Sequence, residues 1–206
     1  MGYRVGHAVS AGVFLGVIFS LLMVSTVRAQ EVEGPPPAFE FGGQIAGFGD
    51  TFLAGDGDSN VEFGGKAELD LAINSEGLGL WRGFSVEIGL EGNLGDDLRD
   101  AGAGTLLPVN TAMAFPRSGG EDTDLSIVLK QEFGDSGSIS VGKINMVKAA
   151  GGTPIMGGGG TETFQNLAFA APISGVTPPY IVGAIATAKA GPAQLVFMVY
   201  DPGNAQ

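Results

Sequence analysis

The side chains whose pattern in this sequence suits acid–base work are carboxylates. The sequence has no cysteine and one histidine, His7, and His7 falls in a segment read below as a removed leader. Without thiol or imidazole, the Ser-His and Cys-His nucleophile systems and the usual zinc ligand sets are excluded. What remains is Glu68 with Asp70, and Glu87 with Glu91, as the acid and base of a secreted glycosidase. Residues two apart on a strand stand ~7 Å apart, which suits such a pair in principle. Any charged strand face gives the same spacing, so the pattern identifies a face before it identifies a reaction.

Two other stretches invite a ligand, and neither completes its pattern. Asp56, Asp58 and Asn60 have the spacing of the first ligands of a calcium loop. Val61 stands where the turn glycine belongs, however, and Ala67 where the bidentate Glu belongs. In Gly157-Gly158-Gly159-Gly160-Thr161 a phosphate-cradling loop would need a lysine directly before the threonine, and Gly160 is there instead. The sequence therefore points to no cofactor, no metal and no catalytic residue of a recognisable type.

The elements that position these carboxylates are strands. In one run Ala67, Leu69, Leu71 and Ile73 fall on one phase while Lys66, Glu68, Asp70 and Asn74 fall on the other. In the next, Phe84, Val86, Ile88 and Leu90 alternate with Ser85, Glu87, Gly89 and Glu91. Successive side chains of a strand point to opposite faces, so each run has one apolar and one charged face. Similar strips follow: Leu125, Ile127, Leu129 and Phe133 against Ser126, Lys130 and Glu132, then Ile139 and Val141 against Ser138 and Ser140. Lys143 breaks the apolar phase of the latter. A final hairpin is predicted over 179–189 and 193–200, with Leu195, Phe197 and Val199 on one face. A looser strand over 39–53 brings the count to seven.

The amino terminus sets the compartment. Arg4, an apolar stretch from Ala11 to Val24 and Val27-Arg28-Ala29 read as a secretory signal cleaved after Ala29. The apolar stretch is shorter than the ~20 residues a spanning helix needs. An acidic leader containing Pro35-Pro36-Pro37 follows over 30–38. The whole chain has 10 basic and 22 acidic residues. Loss of Arg4 and Arg28 leaves eight basic residues against 22 acidic ones, a net charge of -14, which repels nucleic acid.

The connections carry the architectural signal. From the second strip onward they run short (75–83), long (94–122), short (134–137), long (146–178) and short (190–192). Outer-membrane barrels have short turns at one end and long loops at the other, and a tilted spanning strand needs ~9 to 11 residues. The expectation is an all-β, antiparallel transmembrane barrel with its apolar phase toward lipid. Lys66, Glu68, Asp70, Glu87, Glu91, Lys130 and Glu132 would then line the pore. Trp81 and Phe84, at the join of two strips, suit the interface between hydrocarbon and water. Bacterial single-chain barrels use even strand numbers, and a sugar-sized channel needs about 16. On that count residues 39–206 are the amino-terminal part of a longer barrel, truncated at its carboxyl end.

Several ordered phrases add to this reading: Leu106-Leu107-Pro108-Val109-Asn110-Thr111-Ala112-Met113-Ala114-Phe115-Pro116, Val141-Gly142-Lys143-Ile144-Asn145, Thr163-Phe164-Gln165-Asn166, Pro178-Pro179-Tyr180 and Met198-Val199-Tyr200-Asp201-Pro202. Together they resemble the carbohydrate-selective porins of the OprB type, from about Phe63 to Pro202. The resemblance implies an outer-membrane barrel of a Gram-negative bacterium that passes sugars by facilitated diffusion, with loops folded inward to narrow the pore. Met146 to Pro178 is then a candidate for such a loop. It also implies outer-membrane lipid as the surroundings and a homotrimer as the assembly to test for. The family's second half is missing, and Arg82, Arg99 and Arg117 are the only arginines outside the signal, so no basic constriction is carried over. Two rival readings stand beside it: a secreted β-sheet carbohydrate-active enzyme using carboxylates, and a soluble β-sandwich binding domain.

Overall fold

The runs in which apolar and polar residues alternate, strictly over Phe84–Glu91 and more loosely elsewhere, are extended and paired. The computed structural model describes residues 35–51, 61–96, 108–116, 122–151, 160–162, 165–170 and 178–204. The signal segment and the Asp56–Asn60 loop lie outside them. Seven strands form a single antiparallel sheet in chain order: β1 (Phe39–Thr51), β2 (Val61–Asn74), β3 (Phe84–Gly95), β4 (Thr123–Glu132), β5 (Gly137–Asn145), β6 (Tyr180–Ala190) and β7 (Ala193–Tyr200). Among the described residues three short α-helical turns interrupt the long connections: α1 (Thr111–Ala114), α2 (Met146–Gly151) and α3 (Leu167–Ala170). The sheet is not closed, and β1 and β7 are its edges.

Register is set by the alternation, because a slip of one residue would move every side chain to the wrong face. The outer row Phe39, Ile73, Val86, Leu129, Val141, Ala184 and Val199 runs opposite residue to opposite residue across all seven strands. Phe41, Ile45, Phe63, Leu69, Leu90, Leu125 and Phe197 share this face, and all are exposed. Phe41 is 80% and Val199 75% accessible. At ~4.8 Å between strands and ~3.3 Å per residue, seven strands present an apolar surface on the order of 30 by 30 Å. That is larger than the largest patch on an ordinary soluble monomer.

The opposite face carries the buried residues. Lys66 is 4% and Glu91 7% accessible, and Asp50, Asn93, Asn110 and Asp124 are also buried. The small apolar clusters lie on this same side. One joins Ala114, Phe115, Val147, Leu167 and Tyr180; another joins Phe48 to Ala112 and Met113; a third joins Val128, Ile144 and Ile181. Segments from the long connections thus lie on the polar face and bury what a bare sheet would leave open. From β5 to β7 that face itself turns partly apolar, through Ile144, Ile185 and Met198.

The two ends of the meander differ. Connections 75–83, 133–136 and 191–192 lie at one end, and 96–122 and 146–179 at the other. Connection 52–60 joins strand ends at the latter end but has no more residues than 75–83, so length sorts the ends from β2 onward. At the short end Trp81 stacks obliquely on Phe84 with ring centroids 5.1 Å apart, and its Nε1 donates to Gln131 Oε1 at 3.1 Å. Phe39 and Phe133 are exposed at the same end.

Candidate functional site

The seven residues Lys66, Glu68, Asp70, Glu87, Glu91, Lys130 and Glu132 all fall on the polar face, since Glu68 opposes Glu91, Ala72 opposes Glu87 and Ser85 opposes Lys130. They gather into three groups rather than one. Lys66 Nζ lies 2.7 Å from Glu91 Oε2 and 3.2 Å from Glu68 Oε1. It also donates to the carbonyl of Phe115 at 3.3 Å. Lys130 Nζ lies 2.7 Å from Glu132 and 3.7 Å from Glu87. Asp70 is held by Lys148, which reaches across the sheet from α2.

Buried charge is tolerated only when paired and hydrogen-bonded, and Glu91 shows how far that goes. Besides Lys66, it accepts from Asn145 Nδ2 at 2.8 Å and from the Tyr180 hydroxyl. Asp124, opposite Glu91 on β4, takes Lys143, whose Nζ also stands 5.6 Å from the Tyr180 ring centroid. Lys143 is the residue that breaks the apolar phase of its strip, and this contact is the reason. By strict alternation Lys143, Asn145 and Tyr180 belong to the outer face. Ile144 and Ile181 beside them are buried on the polar face, as alternation places them, so the exceptions are these three polar side chains rather than the strands that carry them.

The long connections are stitched down by side-chain amides and hydroxyls. Asn110 caps α1 by accepting from Met113 N at 3.2 Å, and its amide donates to Asp50 at 3.0 Å. Asn93 Nδ2 donates to the carbonyls of Met113 and Phe115 at 2.9 and 3.0 Å. Thr111 Oγ1 donates to the Gln165 carbonyl at 2.6 Å, and Gln44 Nε2 donates to Thr161 Oγ1 at 2.9 Å. Residues 108–116 are therefore as deeply placed on the polar face as the described parts of 146–178. Asn145 likewise accepts from Lys148 N at 3.0 Å at the start of α2.

For the carboxylate pairs the geometry is specific. Glu68 and Glu91 share one lysine, and Asp70 holds another. Glu87 and Glu91 stand four residues apart on β3, about 13 Å by strand rise, which exceeds the separation an acid–base pair uses. Among the described residues no group of three or more His, Cys, Asp or Glu is arranged to hold a metal ion. Alternation alone does not single out Asn93, Asn110, Asp124, Asn145, Lys148 and Tyr180. The asparagines Asn110 and Asn145 directly precede the helical turns, which was the available signal for two of them.

Compared with protein-family models, with curated proteins and with solved structures, the chain finds no match.

Proposed function

We propose that this chain forms part of the wall of an outer-membrane porin that passes carbohydrates by facilitated diffusion through a water-filled barrel. The observation that carries the reading is the inverted distribution of its residues. Phenylalanine, leucine, isoleucine and valine are exposed on one face, while lysine, glutamate and asparagine are buried on the other. In water that arrangement is unfavourable by ~25 cal/mol for each Å² of apolar area left uncovered. In a bilayer it is the required one, because hydrocarbon offers no partner to a charge. Strands of 8 to 14 residues suit a tilted crossing, and the aromatic residues at the short-connection end suit its interface.

On this reading Lys66, Glu68, Asp70, Glu87, Glu91, Lys130 and Glu132 face the water column, and the segments around α1 and α2 narrow it. The mechanism needs no catalytic group. Hydroxyls and paired ions replace part of a sugar's hydration shell, the folded-in segments set the size limit, and the gradient drives flux. The open edges β1 and β7 are closed by further strands, since unpaired backbone groups do not face lipid.

Planar-bilayer recording tests this. The full-length protein should produce discrete current steps that added sugar reduces in a concentration-dependent way. A water-soluble monomer that gives no steps, whether or not it hydrolyses a glycoside, would discard the porin reading.

A further inference from the structure

A cleft of about 510 Å³ opens on the polar face beside α2, within the size range of small-molecule sites. Three kinds of surface line it. Ser126, Ser138, Ser140 and Thr187 bring hydroxyls from β4, β5 and β6. Val128, Ile144 and Ile185 make an aliphatic floor. Asp70, Glu87, Lys130 and Lys148 bring charge.

The charges do not balance evenly. Lys148 is committed to Asp70. Lys130 makes its close contact, 2.7 Å, with Glu132, which is not among the cleft's lining residues, and stands 3.7 Å from Glu87. Lys130 therefore serves two carboxylates at once, bonding Glu132 at the length of a charge-assisted hydrogen bond, about 2.7–2.9 Å, and pairing with Glu87 more loosely. Glu87 is left 46% accessible in its side chain, lining the cleft with only a share of Lys130's charge.

We propose that this cleft binds a small polyhydroxylated solute bearing one ammonium group, an amino sugar in its protonated form. The inference rests on the porin reading and deepens it by naming the solute class. The ammonium meets Glu87, the ring hydroxyls meet the serine and threonine row, and the C–H face of the ring lies on Val128, Ile144 and Ile185. A bare inorganic cation would use the carboxylate and waste the floor and the hydroxyls. A neutral sugar would leave two carboxylates, Glu87 and Glu132, sharing the single Lys130, and an anionic one would add to that surplus of negative charge.

Three probes with one ring skeleton test the proposal: glucosamine below neutral pH, glucose, and glucuronate. Each is titrated against single-channel current of the full-length protein at low ionic strength, where screening is weak. Half-block by glucosamine should come at about five-fold lower concentration than by glucose, the scale of one partly exposed ion pair, with glucuronate weakest. Glu87→Gln should bring glucosamine to the level of glucose. Should that variant fail to fold, the ranking in the unaltered protein decides. Equal block by glucosamine and glucose, or a ranking that survives Glu87→Gln, overturns the amino-sugar site and leaves the porin standing. Absence of current steps overturns both.

Discussion

At the scale of single residues, the tightest constraint is Lys66, buried among Glu68, Glu91 and the Phe115 carbonyl. Removing one partner of a buried ion pair leaves the other charge unsolvated, at a cost of about 3 to 5 kcal/mol. Lys66→Met is therefore expected to destabilise the folded protein by roughly that much, read from urea unfolding in lipid vesicles. Adding Glu91→Gln should restore part of the loss, because the charge left unpaired on Glu91 disappears while Tyr180 and Asn145 keep an acceptor. A fully additive double variant would show that Lys66 and Glu91 do not act together. That Lys66, Glu68 and Glu91 share a face was legible from alternation. That Tyr180 and Asn145 complete the group was not, because both lie on strands far along the chain and on the phase that alternation assigns to the outer face. Lys143 was legible only as an irregularity, and its meaning came with Asp124 beside it.

At the scale of elements, the β4–β5 pairing depends on Gly142. A Cβ at this position would lie 2.0 Å from the Ile127 carbonyl oxygen, and its φ is 148°. The neighbour is backbone and cannot step aside, so Gly142→Ala should cost about 1 to 3 kcal/mol. Hydrogen exchange should show the loss as faster exchange of amides in β4 and β5, with β1 to β3 little changed. Uniform loss of protection over the whole sheet would contradict a local role for Gly142. The strands were readable because seven or so alternating residues suffice to define a face. The helical turns were not, since turns of four to six residues are too short to show a 3.6-residue period. They also hold only through packing on the sheet. The first strand is paired over Phe39–Thr51, and the remainder of the expected run, 52–53, lies outside the described residues.

At the scale of the whole molecule, the orientation of the two faces can be read directly. Spin labels at Leu69, Val86 and Leu129, one on each of β2, β3 and β4, should relax with oxygen dissolved in the bilayer. A label at Ser140, on the other face, should respond to a water-soluble paramagnet instead. Labels at the first three positions that respond to neither agent would place those residues inside a dry globule and end the membrane reading. The meander itself was legible from the order of short and long connections. Closure was not, because edge strands announce themselves through unpaired backbone groups that no side-chain pattern encodes. The placement of the apolar clusters has a consequence of its own. In most proteins a hole made in the core weakens the fold and nothing else. Here Phe115, Met113 and Leu167 pack on the polar face, so on the porin reading proposed above, trimming them would widen the path for solute as well as loosen the packing. If that reading holds, damage to this core would announce itself first as leak, in a cell still able to make the protein.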